Sequence, residues 1–599
     1  MGDWHNAATA GASSKDVNER MEAKQQLHDF DFQFQSRRSD ILCRHACVAT
    51  SQPLATMVGI DFLKRGANAA DAAVAIAAAL AVTEPCSTGL GGDMFCLYYS
   101  AKDKKVHAIN GSGKAPNDLT LERVLNDCSE EPNTTTTTTT TAIEDRFMFS
   151  AHAVTVPGAA RGWEDTILRH GSGKFTLAQL LEPAAQLAEE GFPVTHVTAH
   201  HWAAGRNQLM RWVGGDKVIP MTVNGADTPK VGDIFCNPDM ARVLRELGSL
   251  GATEGFYNGR TGRAIVEKIQ QHGGVMTLDD MIQHTSLFPQ PISQSYRDVK
   301  LWQVPPNGQG IASLIALSGL KHLEEEGLCP KLTPETVGRT AEAWHVQIEM
   351  MRLGFADARQ YVTCPEHTVS TDWLLDPTRI ASRAEERYDP SRANCHQDGA
   401  LSSCDTVSFQ VVDDEGNAIS FVNSNYMGFG TGMVPDDCGF CLQNRGFNFS
   451  LDPEHANCLA PGKRPFHTII PAILTHTDAS TGEDLLYATL SNMGGFMQPQ
   501  GHLQLTINMV AGGMNPQAAI DMPRFCIPDG TIDGIVQLEH GIEKEVVDEL
   551  KSMGHRLETN IVGHARSVFG RAQIIKKDPT TAVLWAGSDG RADGCAIGF

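Results

Sequence analysis

Residues 407–411 alternate apolar and polar side chains, with valine or phenylalanine at every second position and serine or glutamine between them. A period of two is typical of a half-buried strand. A second apolar run, residues 418–424, follows the turn-forming residues 414–417, so the pattern predicts a β-hairpin. Thr406 stands directly before the first strand. Because threonine is β-branched and common in sheets, its position alone indicates only strand propensity.

Segments with helical periodicity lie on both sides of this hairpin. The predicted helices run near residues 68–82, 237–250, 259–273, 341–361, 501–511 and 544–553, with further helices within 151–204 and a strand at 299–304. Helices before a β-rich block and helices after it predict an α+β sandwich, in which helical layers cover two sheets.

The composition is that of an ordinary globular protein, with 41% hydrophobic and 20% charged residues in 599. The formal net charge is -22, and the basic runs are no longer than pairs such as Lys104-Lys105. This charge disfavours binding to nucleic acids and to anionic membranes, so we expect neither as a partner.

The amino-terminal region has no apolar segment of the signal-peptide type, and residues 1–40 are predicted to be a flexible tail. The most apolar segment, residues 69–82, is too short to span a bilayer and contains Asp71. These features predict a cytoplasmic protein without a membrane anchor.

The 15 cysteines are spread along the chain without a tight framework, which favours reduced thiols. Cys438 and Cys441 form a CxxC pair. A redox or zinc role is one interpretation of this pair, and two small buried side chains are the other.

Two segments are predicted to be exposed loops. Residues 389–405 are polar, contain glycine, serine and proline, and end immediately before Thr406, as a processing site requires. Residues 134–141 are eight consecutive threonines, a low-complexity run that indicates a surface loop.

Six blocks of sequence carry a resemblance to a known family. They are residues 49–82, the glycine-rich segment 84–93, and residues 304–310, 428–432, 461–465 and 494–495. In order and spacing they resemble the gamma-glutamyltranspeptidase family, over residues 45–599. The resemblance implies one fused unit with the αββα four-layer fold of N-terminal-nucleophile hydrolases, rather than the several domains that length alone suggests.

The resemblance also implies a proenzyme that cleaves itself between Asp405 and Thr406. The products would be a large subunit of residues 41–405 and a small subunit of residues 406–599, held together as a heterodimer. Thr406 would then carry a free α-amine, whose pKa of about 8 suits a general base for the neighbouring hydroxyl. This is the N-terminal threonine form of an activated nucleophile.

Three further residues complete the catalytic group that the resemblance implies. Gly494 and Gly495 stand at the position of the family's oxyanion diglycine, where backbone N–H groups must approach the substrate without a Cβ in the way. A glycine pair is also compatible with a simple turn. Ser424 stands at the position of the family's second hydroxyl, which supports the nucleophile, although it is equally compatible with a polar strand end.

The chain departs from the family at the positions that bind the glutamyl head group. Ser112 stands where an arginine is expected, and Lys114 is an alternative cation that lacks bidentate geometry. Asn448 stands at the acidic position, so it offers a hydrogen bond but no opposing charge. The remaining pocket positions are Tyr426, Arg445 in place of a neutral amide, and His467 with Thr468 in place of a serine pair.

A short segment between residues 449 and 463 indicates that the lid over the pocket is missing, as in the divergent glutathione hydrolase-like and acylase-like branch. The predicted function is therefore gamma-glutamyl transfer or hydrolysis of glutathione and related amides through a threonyl ester, with water or an amine as acceptor. We expect no metal or organic cofactor. Two alternatives stay open: an amidase for a different acyl group, and an uncleaved, inactive scaffold.

Overall fold

The computed structural model describes residues 38–129, 140–213, 218–394, 406–528, 530 and 534–599. Most of the predicted tail and Asp405 lie outside the described residues. So do residues 134–139 of the threonine run, and the helix that follows begins at Thr140, where the sequence predicts a loop through residue 141.

The strands lie throughout the chain and include both strands of the predicted hairpin, β9 and β10. They are β1 Ile41–Cys43, β2 Cys47–Thr50, β3 Asp93–Ser100, β4 Lys105–Asn110, β5 Phe192–Pro193, β6 Ile234–Phe235, β7 Ile292–Tyr296, β8 Val299–Gln303, β9 Val407–Val412, β10 Ala418–Ser424, β11 Ala472–Thr477, β12 Asp484–Met493, β13 Phe525–Cys526, β14 Val536–Glu539, β15 Leu557–Ile561, β16 Arg571–Lys577, β17 Leu584–Ser588 and β18 Cys595–Gly598.

The helices include all six that the sequence predicts individually, with ends that differ by a few residues. They are α1 Pro53–Lys64, α2 Ala69–Thr83, α3 Leu121–Ser129, α4 Thr140–Met148, α5 Ala159–His170, α6 Leu177–Glu190, α7 His196–Ala204, α8 Arg206–Met210, α9 Pro238–Ala252, α10 Arg260–Gln271, α11 Leu278–Ile282, α12 Ile311–Glu325, α13 Ala341–Tyr361, α14 Thr371–Leu374, α15 Pro377–Arg387, α16 Met497–Val510, α17 Pro516–Asp521 and α18 Lys544–Ser552.

Two antiparallel sheets form the centre of the fold. The first has the strand order β1-β17-β16-β12-β11-β8-β7, and the second has the order β18-β2-β9-β10-β3-β4. Apolar side chains such as Phe95, Val422 and Ile473 pack in the same core cluster between the two sheets. The outer face of the second sheet packs against α2 and its neighbours, and that of the first sheet packs against α12 and α13. This arrangement confirms the predicted αββα class.

Strand β9 differs from the half-buried strand that its period of two predicts, because all six of its residues are buried. Val407, Phe409 and Val411 face the helical layer. Gln410 instead faces the other sheet, where its side chain hydrogen-bonds Ser491 and Thr489 of β12. The polar face of the strand is therefore covered by a second sheet, which alternation within one strand does not reveal.

In the described part, no helix is both long and apolar enough to cross a membrane.

Cys438 and Cys441 are buried free thiols, and burial raises the pKa of Cys438 to about 11. A thiol with a raised pKa is a poor nucleophile and a poor metal ligand, so the pair fits the interpretation as small buried side chains.

Candidate functional site

The hairpin places Thr406 opposite Ser424. In the register of β9 and β10, Val407 pairs with Asn423. Thr406 and Ser424, the next residues towards the open end of the hairpin, therefore lie across from each other. Thr406 Oγ1 lies 3.1 Å from Ser424 Oγ, and both residues are buried. The two predicted hydroxyls are thus in direct hydrogen-bond contact.

Ser424 Oγ also accepts two hydrogen bonds. The donors are the backbone N–H of Tyr426, at 2.9 Å, and Arg445 Nη2, at 3.3 Å. A hydroxyl has two lone pairs and one hydrogen, so these donors direct the Ser424 hydrogen towards Thr406 Oγ1. Donation from Ser424 would stabilise negative charge that develops on Thr406 Oγ1.

Arg445 is fully buried in the 3-10 turn Arg445–Asn448. Its Nη1 donates to Thr468 Oγ1 at 2.7 Å, and its guanidinium carbon lies 4.4 Å from the centre of the Tyr426 ring. Tyr426 has a φ of 79°, a left-handed conformation that is uncommon for a residue other than glycine. Two of the predicted head-group residues, Tyr426 and Thr468, therefore contact the buried Arg445 cation.

The diglycine lies where β12 ends and α16 begins. Gly494 and Gly495 have φ values of 120° and 56°, which lie in the region that favours glycine. Gln309 Nε2 donates to the carbonyl of Gly495 at 2.8 Å and to that of Thr468 at 2.7 Å. This amide joins the diglycine to the Arg445 group, so the structure connects both parts of the predicted site.

His467 lies beside this group but contacts Asp93. Its Nδ1 accepts from the N–H of Ile469 at 3.3 Å, so Nε2 carries the hydrogen and donates to Asp93 Oδ2 at 3.0 Å. Burial, reinforced by the charge of Arg445, lowers the pKa of His467 to about 4. Burial opposes ionisation of Asp93, but the hydrogen bond from His467 and the nearby positive charges hold the pKa of Asp93 below its usual value. At neutral pH, the neutral imidazole of His467 therefore donates a hydrogen bond to the ionised carboxylate of Asp93.

Asp93 is otherwise fully engaged within the fold. Its Oδ1 accepts from the backbone N–H groups of Gly113 and Gly158, both at 3.1 Å, and from Gln443 Nε2 at 3.2 Å. The carboxylate therefore fixes the loops around the site and supplies negative charge near Arg445.

Three predicted pocket residues lie apart from this hydrogen-bonded group. Ser112 is buried, and its hydroxyl accepts from Asn307 Nδ2 at 3.1 Å. Lys114 is exposed and lines a separate cavity of about 180 Å³ with Arg464. Asn448 is half-buried, and its backbone carbonyl accepts from Asn457 Nδ2 at 2.7 Å.

A second cavity, of about 280 Å³, adjoins the site. Gly494, Met427, His201, Gln208 and Arg571 are among its lining residues. Because it includes Gly494 and the residue after Tyr426, this cavity offers space next to the diglycine for part of a substrate.

Sequence reasoning missed Asp93 and Gln309 as site residues. Both stand inside blocks that carry the family resemblance, residues 84–93 and 304–310. Their membership of those blocks was the available signal. Their partners, however, lie 374 and 159 residues away along the chain, so only the fold identifies the contacts.

Known proteins match this chain over most of its length. The sequence model described as gamma-glutamyltranspeptidase matches residues 55–599. The chain is 33% identical over 557 residues to the glutathione hydrolase-like YwrD proenzyme of Bacillus subtilis. This match covers 92% of the chain and 98% of that protein. The chain is 31% identical over 561 residues to the oxamate amidohydrolase proenzyme of Klebsiella pneumoniae, in a match that covers 93% of the chain and 98% of that protein.

Among solved structures, cephalosporin acylase from Bacillus halodurans is similar throughout. Its TM-score is 0.82 at 37% sequence identity, and the match covers 94% of this chain and 98% of that one. The names of these similar proteins refer to different substrates, namely glutathione, oxamate and cephalosporin.

Proposed function

Because the chain belongs to the gamma-glutamyltranspeptidase family, we propose that it is a proenzyme that cleaves itself between Asp405 and Thr406 and then transfers or hydrolyses acyl groups through Thr406. The proposal rests above all on the 3.1 Å contact between Thr406 Oγ1 and Ser424 Oγ, with Arg445 hydrogen-bonded to the same serine. The relatives named as proenzymes support it.

In the cleavage step, Thr406 Oγ1 attacks the carbonyl carbon of Asp405. The C–N bond to Thr406 breaks, the hydroxyl proton passes to the released amine, and water hydrolyses the resulting ester. The products are a chain that ends at Asp405 and a chain that begins at Thr406. Their two subunits, residues 41–405 and 406–599, stay together because strands from both form each central sheet.

In turnover, the free α-amine of Thr406 takes the hydroxyl proton while Oγ1 attacks the substrate amide. The N–H groups of the diglycine stabilise the oxyanion, and the leaving amine takes the proton. Water or a second amine then attacks the threonyl ester. The cavity beside Gly494 suits the leaving amine or the acceptor.

We propose that Arg445 binds a carboxylate of the acyl group. It is a buried cation beside the nucleophile, and guanidinium matches carboxylate in geometry. Gamma-glutamyl amides such as glutathione carry an α-carboxylate at a suitable chemical position, and they are the first substrate class.

A second class is favoured by the neutral side chain of Asn448. An acidic residue at this position would pair with the α-ammonium of a glutamyl group, and Asn448 provides no such charge. Amides of small dicarboxylic acids keep the carboxylate and lack the ammonium, so they suit this pocket as well. The relative named for oxamate is consistent with this class.

Three anilides that differ by one group each test the proposal. Gamma-glutamyl anilide has both the carboxylate and the ammonium, glutaryl anilide lacks the ammonium, and 4-aminobutyryl anilide lacks the carboxylate. Because each charged hydrogen bond contributes about 1.5–3 kcal/mol, we expect kcat/KM for the 4-aminobutyryl compound to be at least about tenfold below the better of the other two.

The ratio of gamma-glutamyl to glutaryl turnover then separates the two substrate classes. Equal or faster turnover of the 4-aminobutyryl compound would contradict carboxylate binding by Arg445. Absence of turnover for all three compounds, together with an uncleaved chain, would favour the inactive scaffold.

A further inference from the structure

Three potential metal ligands meet away from the proposed active site. His345 and Glu349 lie one helical turn apart on α13, and His555 follows α18. One ligand atom from each lies within 4.8 Å of the others, and all three residues are buried. His345 and Glu349 belong to the predicted large subunit, whereas His555 belongs to the small one.

The hydrogen bonds of His345 fix the orientation of its lone pair. Nε2 lies 2.8 Å from the carbonyl oxygen of Asp389, which can only accept, so Nε2 carries the hydrogen. In the neutral ring Nδ1 therefore holds the lone pair, and it accepts the hydrogen of His555 Nε2, 2.8 Å away. A histidine whose second nitrogen donates to a carbonyl is the usual arrangement of a metal ligand.

The other two groups are also prepared for coordination. The Nδ1 atom of His555 is buried and has no hydrogen-bond partner among the described residues, so it can carry the ring hydrogen when Nε2 gives it up to coordinate an ion. Glu349 Oε2 accepts from the N–H of Asn394 at 3.3 Å, which holds the carboxylate in place.

We propose that His345, Glu349 and His555 bind one divalent transition-metal ion of the zinc class. Two neutral imidazoles and one carboxylate are ligands that Zn²⁺ accepts, and Ca²⁺ or Mg²⁺ would require an oxygen-only set. Ligand nitrogens about 2.1 Å from a tetrahedral ion lie about 3.4 Å apart, so the two rings separate by about 0.6 Å when the ion enters. Water supplies the fourth ligand.

Arg352 moderates this site. Its Nη1 donates to Glu349 Oε1 at 2.7 Å, and it is itself fully buried. A fixed positive charge beside the carboxylate reduces the attraction for a cation, so the affinity is lower than for an unpaired glutamate. The two imidazoles then account for most of the selectivity.

The ion would join the two halves of the chain near the predicted cleavage segment. Asp389 and Asn394, which contact His345 and Glu349, stand in the last described residues before Asp405. A ligand that binds only the folded state stabilises it by mass action, so the ion raises the melting temperature of the folded chain. This inference does not depend on cleavage at Thr406.

The experiment uses the full chain after chelator treatment and titrates it with Zn²⁺ against a fluorescent zinc indicator. We expect one tight site per chain, a zinc-dependent rise in melting temperature, and, with Co²⁺, the absorption bands of a four-coordinate ion. Glu349→Gln and His555→Gln should each weaken binding by more than the ten- to hundredfold loss that a second-shell partner causes. His502→Gln, which replaces another buried histidine, should retain the site.

The proposal is overturned if the wild-type chain takes up no zinc, or if both ligand variants bind zinc as tightly as the wild type. Circular dichroism establishes which variants fold. If His555→Gln does not fold, the Co²⁺ spectrum of the wild type and the affinity of Glu349→Gln decide the question.

Discussion

Arg445 donates a hydrogen bond to the Ser424 hydroxyl across 3.3 Å. Since that hydroxyl lies 3.1 Å from Thr406 Oγ1, two successive hydrogen bonds through Ser424 connect a buried guanidinium to the proposed nucleophile. The same cation is the proposed carboxylate-binding group. This arrangement would couple substrate binding to nucleophile activation through one serine.

Replacement of Ser424 by alanine should slow self-cleavage. Without the hydroxyl, Thr406 Oγ1 loses the hydrogen-bond donor that stabilises its developing charge. We expect a loss of about tenfold to a hundredfold in the cleavage rate and in kcat, with a smaller change in KM. A denaturing gel over time measures cleavage, and Ser424→Thr, which keeps the hydroxyl, is the control. Cleavage of Ser424→Ala at the wild-type rate would exclude the supporting role.

Arg445 and Lys114 form a matched pair of cations for testing carboxylate recognition. Arg445→Gln should lower kcat/KM for glutaryl and gamma-glutamyl anilides by about tenfold to a hundredfold, because a buried charged hydrogen bond to the substrate is lost. Lys114→Gln should change kcat/KM little, because Lys114 is exposed and lines a separate cavity. If Lys114→Gln lowers kcat/KM and Arg445→Gln does not, Lys114 binds the carboxylate of the substrate, as its position in the sequence suggests.

The parts of this site that the sequence predicts are local in the chain. Thr406 and Ser424 meet because they lie across from each other at the open end of one hairpin, whose register follows from the alternating pattern. The helical periodicity near residues 341–361 likewise predicts the helix Ala341–Tyr361, and in the structure the Thr340 side chain caps its first turn.

The parts that the sequence does not predict depend on distant contacts. Ser112 occupies a family pocket position, yet its hydroxyl hydrogen-bonds Asn307, 195 residues away. Asp93 likewise binds His467 only because β3 reaches the segment before β11. A linear pattern specifies which face a residue occupies within its element, but it does not specify which other element covers that face.

Gly494 should tolerate no side chain. Its φ of 120° disfavours other residues, and an added Cβ would lie 3.2 Å from the Cα of Gly570. For Gly494→Ala we expect a loss of about 10²–10³ in kcat through displacement of the oxyanion donor. Gly482→Ala is the matched control, since Gly482 also has a positive φ, of 73°, but a Cβ there meets nothing within 4 Å. If both variants keep full kcat, the diglycine is only a turn.

Acid should destabilise the fold through its buried histidines. In the folded chain the pKa of His467 is lowered to about 4, and the pKa values of His284 and His502 are lowered to about 3, in each case chiefly by burial. At pH values between these lowered pKa values and the usual histidine pKa of about 6.5, the three histidines bind protons in the unfolded chain but not in the folded chain. The free energy of unfolding should therefore fall as the pH drops below about 6.5, by up to about 1.4 kcal/mol per pH unit for each histidine.

Urea denaturation of Thr406→Ala, which stays one polypeptide, measures this dependence between pH 7 and pH 4. The added His502→Gln substitution should remove about 1.4 kcal/mol per pH unit from the slope at its acidic end. An unchanged slope in this double variant would mean that His502 is protonated in the folded chain.

The central claim is that Thr406 becomes a new N-terminal residue by its own chemistry. A denaturing gel with intact mass and N-terminal sequencing, on the wild type and on Thr406→Ala, tests it most directly. In proportion to its 405 and 194 residues, the 64.8 kDa wild-type chain should give fragments of about 44 and 21 kDa, the smaller one beginning at Thr406, while Thr406→Ala stays intact. A single intact wild-type species, or a Thr406→Ala chain that is still cleaved at this bond, would contradict the account.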